Sequence, residues 1–306
     1  MRRLIALCLL ALPAPTTTHY ITVAGLGGEP DYEQRFGGWA SDLEKALKAS
    51  PESQLETLKG PQATRQNIQN LFARLAKGVT AEDALVVMLI GHGTHDGTDY
   101  KINLPGPDLT AVDLAMWLDR VPAKRQLIVN MTSASGGAIG SLAKPGRVVI
   151  TATKSGSERN ATVFARYWIE ALRDAAADTD KNGAVSALEA FRYADTKTSK
   201  FYETQKRLAT EHPLLDDQGR GEGVRTPSPD NGYGLGAAAF TVVRLGTASA
   251  GLNDPAKRGL LERKEQLEQE VDRLKYQKAA MPFEEYRRRL GALLLELAKT
   301  QEELDK

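Results

Sequence analysis

The chain has 306 residues, 42% hydrophobic and 26% charged, with a formal net charge of +1 at pH 7. That length holds one large domain or two smaller ones. The even charge balance argues against a nucleic-acid partner or an anionic membrane surface, and one cysteine, Cys8, excludes a disulfide framework.

Met1-Arg2-Arg3, the apolar run Leu4 to Leu12 and the small residues Pro13-Ala14-Pro15 predict a secretory signal over residues 1–18. The run is too short to span a bilayer as a helix. The protein is therefore expected to be exported, to the periplasm or the medium, with no stable membrane span and no thiol once the signal is removed.

His19 to Leu26 reads as a first strand, closed by Gly25, Gly27 and Gly28. Trp39 to Ala49 reads as a helix with Leu43, Ala46 and Leu47 on one face, and Gln54 to Leu58 as a short strand. Ile68, Leu71, Phe72 and Leu75 recur at helical spacing within Thr64 to Lys77. Ala84 to Ile90 is wholly apolar without alternation, the pattern of a strand buried on both faces. It runs into Gly91-His92-Gly93-Thr94, at the strand end where open α/β sheets place their chemistry.

His95 to Asp108 is polar and rich in Gly and Pro, hence a loop. Thr110 opens a helix to Leu118, with Asp113 at the capping-box position. Gln126 to Asn130 is a second buried strand, leading into Met131-Thr-Ser-Ala-Ser-Gly-Gly137; Arg147 to Ala152 is a third. A polar loop, Lys154 to Asn160, precedes a helix over Ala161 to Ala176. The alternation predicts an α/β fold with a mostly parallel sheet flanked by helices.

Asp178-Thr-Asp180-Lys-Asn182-Gly183-Ala184-Val-Ser186-Ala-Leu-Glu189 matches the twelve-residue EF-hand loop at every ligand position. Side-chain oxygens stand at positions 1, 3, 5 and 9, a carbonyl at Ala184, and a carboxylate able to bind through both oxygens at Glu189. The loop is expected to hold one structural Ca2+. Ser186 to Glu189 also fits a capping box opening the next helix, Ala187 to Thr196. Asp216-Asp217-Gln-Gly219-Arg-Gly221 is a weaker acidic turn.

Lys206 to Gly236 reads as an ordered surface excursion, Ala237 to Leu245 as a last strand and Gly246 to Asp254 as a linker. Leu260, Leu267 and Leu274 then repeat every seven residues, with Val271 between them. Pro282 starts a second helix carrying Tyr286, Leu290, Leu293, Leu294 and Leu297. Residues 254–305 are expected to form a helical hairpin or coiled coil, folded on itself or joining copies of the chain in a homo-oligomer.

The strand ending in Gly-His-Gly, followed by a strand leading to Ser133-x-Ser135-Gly136, resembles the caspase-like fold. Legumain-type cysteine peptidases, with Cys-x-Ser-Gly at the second site, are the nearest form of it. The likeness covers residues 19–246. It implies a catalytic pair of His92 and the residue at 133, with N–H groups near Gly93, Gly136 and Gly137 facing an oxyanion. It implies a specificity pocket touched by Glu158, and Ser135 is taken as a second substrate-facing residue. The chain departs from the family at the nucleophile, where Ser133 replaces cysteine. A serine hydroxyl is not ionised at neutral pH and needs a base in direct contact, oriented by a third group; no acid stands in an evident position behind His92. Three readings follow. The protein is a peptidase homologue without activity that binds a peptide or protein ligand, a serine-dependent peptidase or hydrolase using Ser133 and His92, or a structural module assembling through its C-terminal hairpin.

Overall fold

A computed structural model describes residues 16–48, 53–246 and 254–306. The signal expected over 1–18 lies outside the described residues as far as residue 15, and most of the expected linker, 247–253, lies outside them too. In chain order the elements are β1 (Thr18–Ala24), α1 (Pro30–Leu47), β2 (Ser53–Leu58), α2 (Arg65–Gly78), β3 (Ala84–Ile90), β4 (Gly93–His95), β5 (Tyr100–Ile102), β6 (Leu109–Thr110), α3 (Ala111–Arg120), β7 (Arg125–Asn130), α4 (Ile139–Leu142), β8 (Arg147–Thr151), α5 (Phe164–Ala171), β9 (Ala184–Ser186), α6 (Ala187–Thr204), β10 (Leu214–Asp216), α7 (Leu235–Ala238), β11 (Thr241–Arg244), α8 (Pro255–Gln277) and α9 (Phe283–Leu304).

Six strands form the central sheet in the order β10-β8-β7-β3-β1-β2. The first five in sequence are parallel; β10 closes one edge antiparallel to β8. All seven residues of β3 are buried because the strand faces helices on both sides. Val86, Met88 and Ile90 pack with Phe36, Leu43, Trp168 and Phe191 from α1, α5 and α6. Leu85, Val87 and Leu89 pack with Ile68, Leu71, Leu114 and Trp117 from α2 and α3. The mostly parallel α/β sheet flanked by helices is the expected architecture.

Three local expectations change. The first helix begins nine residues earlier than expected, at Pro30, and runs through Gly37-Gly38 because Phe36, Ala40, Leu43 and Leu47 bury one continuous face. The segment 95–108 is not all loop: β4, β5 and β6 form a small antiparallel sheet. The last strand is shorter than the expected Ala237 to Leu245: Leu235–Ala238 is helical, and the strand β11, Thr241–Arg244, pairs with β9 inside the 178–189 loop. Asn130, in one of two glycosylation sequons, is fully buried and out of reach; Asn160 is exposed.

The C-terminal hairpin folds on itself, α8 against α9. Leu267, Val271 and Leu274 of the heptad run are buried, and α8 also docks on the domain. Glu265 accepts from Thr241 Oγ1 at 2.8 Å and pairs with Arg244, and Tyr276 donates to the Tyr233 carbonyl at 2.8 Å. No helix among the described residues is long and apolar enough to cross a membrane.

Candidate functional site

β3 and β7 are neighbours in register, Leu89 opposite Asn130, so their carboxyl ends release His92 and Ser133 at the same sheet edge. Gly91 has φ +146°, and a Cβ there would press on Gly25 at 3.3 Å, so glycine lets the strand end close against the β1 turn. Gly93 is tighter. A Cβ would lie 2.4 Å from the Ser133 carbonyl oxygen and 2.7 Å from the Tyr100 ring.

That contact decides what Ser133 does. Its side chain is buried at 1% exposure. Oγ donates to the Gly93 carbonyl at 3.1 Å and accepts from the Gly93 N–H at 3.0 Å. Ala134, next in the chain, sits in the left-handed region at φ 55°, a strain of about 1–2 kcal/mol for a residue with a Cβ. The Glu158 carbonyl, accepting from the Ala134 N–H at 2.7 Å, holds it there.

His92 faces the other way. Its ring lies edge-on to Tyr32 at 4.7 Å and to Phe36 at 5.1 Å, and hydrogen-bonds the Gly27 backbone. These partners follow β1, on the side of β3 opposite β7. Among the described residues no hydrogen bond joins His92 to Ser133. Burial, with a smaller push from Arg35, lowers the His92 pKa below 6.5 against the Gly27 carbonyl and Glu29. The neutral ring is favoured in the folded state, so this contribution to stability is present above pH 6.5 and is lost as pH falls through the lowered folded value. An NMR titration of His92 is expected to give a midpoint below 6.5, and His92→Gln should remove that share of the acid destabilisation. A midpoint at or above 6.5 contradicts this environment.

The N–H groups expected to face an oxyanion are already engaged. Gly93 N–H is on Ser133 Oγ, Gly136 N–H on Thr153 Oγ1 at 2.9 Å, and Gly137 N–H on the Ala134 carbonyl at 3.0 Å. Ser135 is fully buried; its Oγ accepts from the Ala152 and Thr153 N–H groups at 3.1 Å each, stitching the β7 turn to the end of β8. The Glu158 carboxylate accepts from the Lys154 N–H at 2.9 Å and the His212 N–H at 3.2 Å, and pairs with the His212 ring. Neither Ser135 nor Glu158 presents a free group to a ligand in this arrangement. A separate groove of about 910 Å3 runs between α1 and α5, lined by Arg35, Trp39, Arg166, Arg173 and Phe201.

The 178–189 loop comes together as its spacing requires. One carboxylate oxygen from each of Asp178, Asp180 and Glu189 lies within 4.8 Å of the others. Gly183 takes the turn at φ +88°. Asp178 accepts from the Asn182 and Gly183 N–H groups at 3.1 Å each, and Asn182 Oδ1 accepts from the Ala184 N–H at 2.8 Å. Ser186 and Glu189 form the capping box of α6. Burial and the neighbouring Glu189 push the Asp180 pKa up to about 6. A cation would relieve this crowding of like charge, so the donor set fits a hard divalent ion: Asp178, Asp180, Asn182, Ser186, Glu189 and the Ala184 carbonyl would hold it.

The sequence did not disclose what else reaches this loop. α8 lays Glu265, Glu268 and Asp272 along the same cavity of about 260 Å3. Lys264 Nζ donates to the Asn182 carbonyl at 3.2 Å. The available signal was the i, i+3, i+7 spacing of Glu265, Glu268 and Asp272, which puts the three on one face of α8 apart from the buried heptad.

No family profile matches this sequence, and no curated protein matches it. Solved structures do. Caspase-1 from Spodoptera frugiperda is 13% identical, with 66% of this chain covering 87% of that one at a TM-score of 0.48. A structural-genomics protein from Geobacter sulfurreducens is 13% identical, with 75% of this chain and all of that one covered, at 0.45. The Drosophila initiator caspase Dronc is 9% identical, with 68% and 81% covered, at 0.43. The architecture described above rests on the strand order of this chain itself.

Proposed function

We propose that the protein is a peptidase-like domain without peptidase activity, related to the legumain branch of the caspase-like fold, that binds a peptide or protein ligand at the carboxyl edge of its sheet. The observation that supports this reading is the double hydrogen bond of Ser133 Oγ to the Gly93 backbone. It uses the hydroxyl proton that a base would have to remove and the N–H that an oxyanion would need. The serine-hydrolase alternative asks for a Ser133–His92 hydrogen bond, whereas the His92 ring lies with Tyr32, Phe36 and Gly27.

The proposal includes one Ca2+ in the 178–189 loop, supported by the filled ligand positions and the converging Asp178, Asp180 and Glu189. Its role is structural: the loop ties α6 to β11 through β9, and α8 lies across it. Export is proposed from Arg2-Arg3 and the apolar run after them. Assembly through residues 254–305 is the weaker alternative, because Leu267, Val271 and Leu274 are already covered within the chain. The test of the central proposal is reaction with a fluorophosphonate, whose outcome is argued in the Discussion.

A further inference from the structure

Two glycines distant in sequence, Gly137 and Gly156, both press on one imidazole ring, that of His95. A Cβ on Gly137 would lie 2.4 Å from His95 Cδ2, and one on Gly156 would lie 2.3 Å from His95 Cγ. Neither glycine has a positive φ, so backbone conformation does not demand glycine at either place. The ring does: any side chain at 137 or 156 would expel it.

The ring is also held in place. His95 Nδ1 accepts from the Gly97 N–H at 3.1 Å, and the His95 carbonyl accepts from the Arg159 guanidinium at 3.2 Å. His95 lies on the β4–β5 hairpin, and two further points pin that hairpin over the Ser133 turn. Gly93 bonds Ser133 Oγ, and Tyr100 Oη meets Thr132 Oγ1 at 2.5 Å and Asn130 Oδ1 at 3.2 Å. The hairpin therefore lies across the candidate site as a strap, with the His95 ring seated against Gly137 of the 133–137 turn and Gly156 of the 154–158 loop.

We propose that the gap between Gly137 and Gly156 is a binding slot for a flat, uncharged ring, occupied in this state by the chain's own His95, and that withdrawal of His95 opens the site to a peptide side chain of that shape. The peptide part rests on the binding function proposed above; the slot and its occupant do not. What the space holds is a flat ring pressed against the backbone of both glycines. The slot adjoins the turn that carries Ser133, so access to position 133 reports its occupancy.

The test uses the full chain with Cys8→Ser and Ser133→Cys, so that the thiol at 133 is the sole cysteine and reports access to the turn. Alkylation by iodoacetamide is followed by intact mass. Slow alkylation is expected with His95 present, and at least tenfold faster alkylation with His95→Ala. Free imidazole should slow the His95→Ala protein back toward the starting rate and leave the His95 protein unaffected. Equal rates with and without His95, within twofold, overturn the proposal. So does acceleration that imidazole does not reverse, because a loosened hairpin and not an emptied slot would then be the cause. If His95→Ala does not fold, Gly156→Ala, whose methyl takes the place of the ring, should also speed alkylation at least tenfold and be insensitive to imidazole; an unchanged rate, or slowing by imidazole, overturns the proposal. A protein that passes these tests yet retains no peptide, with His95 or without it, keeps the slot and loses the ligand reading.

Discussion

A fluorophosphonate probe is expected to leave Ser133 unmodified under conditions that label a working serine hydrolase to completion. Three independent deficits act together. The hydroxyl proton lies on the Gly93 carbonyl at 3.1 Å, so no base is in contact with it. A positioned general base is worth about 10²–10⁴ in rate. The Gly93, Gly136 and Gly137 N–H groups are all committed inside the protein, and losing one oxyanion donor costs about 10²–10³. The third deficit is access, since Ser133 is 1% exposed. Even the first two alone predict a rate about 10⁴-fold or more below that of an intact site. Mass spectrometry of the treated protein is the measurement. Labelling at Ser133 that disappears in Ser133→Ala would restore the serine-hydrolase reading and remove the binding one.

The parts of this architecture that the sequence carried are those governed by local pattern. β3 matches its apolar run residue for residue, because a strand covered on both faces needs no alternation. Thr64 and Thr110 cap α2 and α3 through their own hydroxyls, a short-range device visible in sequence. The parts that were not legible depend on long-range contacts. β10 is three residues long within a polar excursion, and only pairing with β8 makes it a strand. The start of α1 was hidden by Gly37-Gly38, although Pro30 at the first turn was a usable signal.

The site divides in the same way. His92 and Ser133 reach one sheet edge because two strand ends do, and that follows from sequence. The direction of each side chain does not follow. Tyr32 and Phe36 draw the His92 ring toward β1, and Gly93 holds the Ser133 hydroxyl. His95 belongs to no motif in the sequence; its meaning lies in Gly137 and Gly156, more than 40 residues downstream.

Calcium is expected to raise the thermal midpoint by several degrees. A ligand that binds only the folded state, supplied at a hundredfold excess over its Kd, contributes about 2.7 kcal/mol. For a chain of this size that corresponds to roughly 4–5 °C. The gain has a specific source: without a cation the fold confines Asp178, Asp180 and Glu189 within 4.8 Å, with Glu268 of α8 along the same cavity. Burial and nearby charge, first of all Asp180 after Lys264's opposing effect, push the Glu268 pKa up to about 7. Asp178→Ala removes the position-1 ligand and also the acceptor of the Asn182 and Gly183 N–H groups. It therefore lowers the midpoint by itself, and the decisive quantity is the increment that calcium adds, which should fall to about zero. Magnesium should add less than calcium, because it demands a tighter octahedral shell than a twelve-residue loop with a two-oxygen glutamate provides. Differential scanning calorimetry with chelator, calcium and magnesium reads all three. No increment in the wild-type protein, or the same increment in Asp178→Ala, would remove the cation from the loop and leave its capping box as the whole of its function.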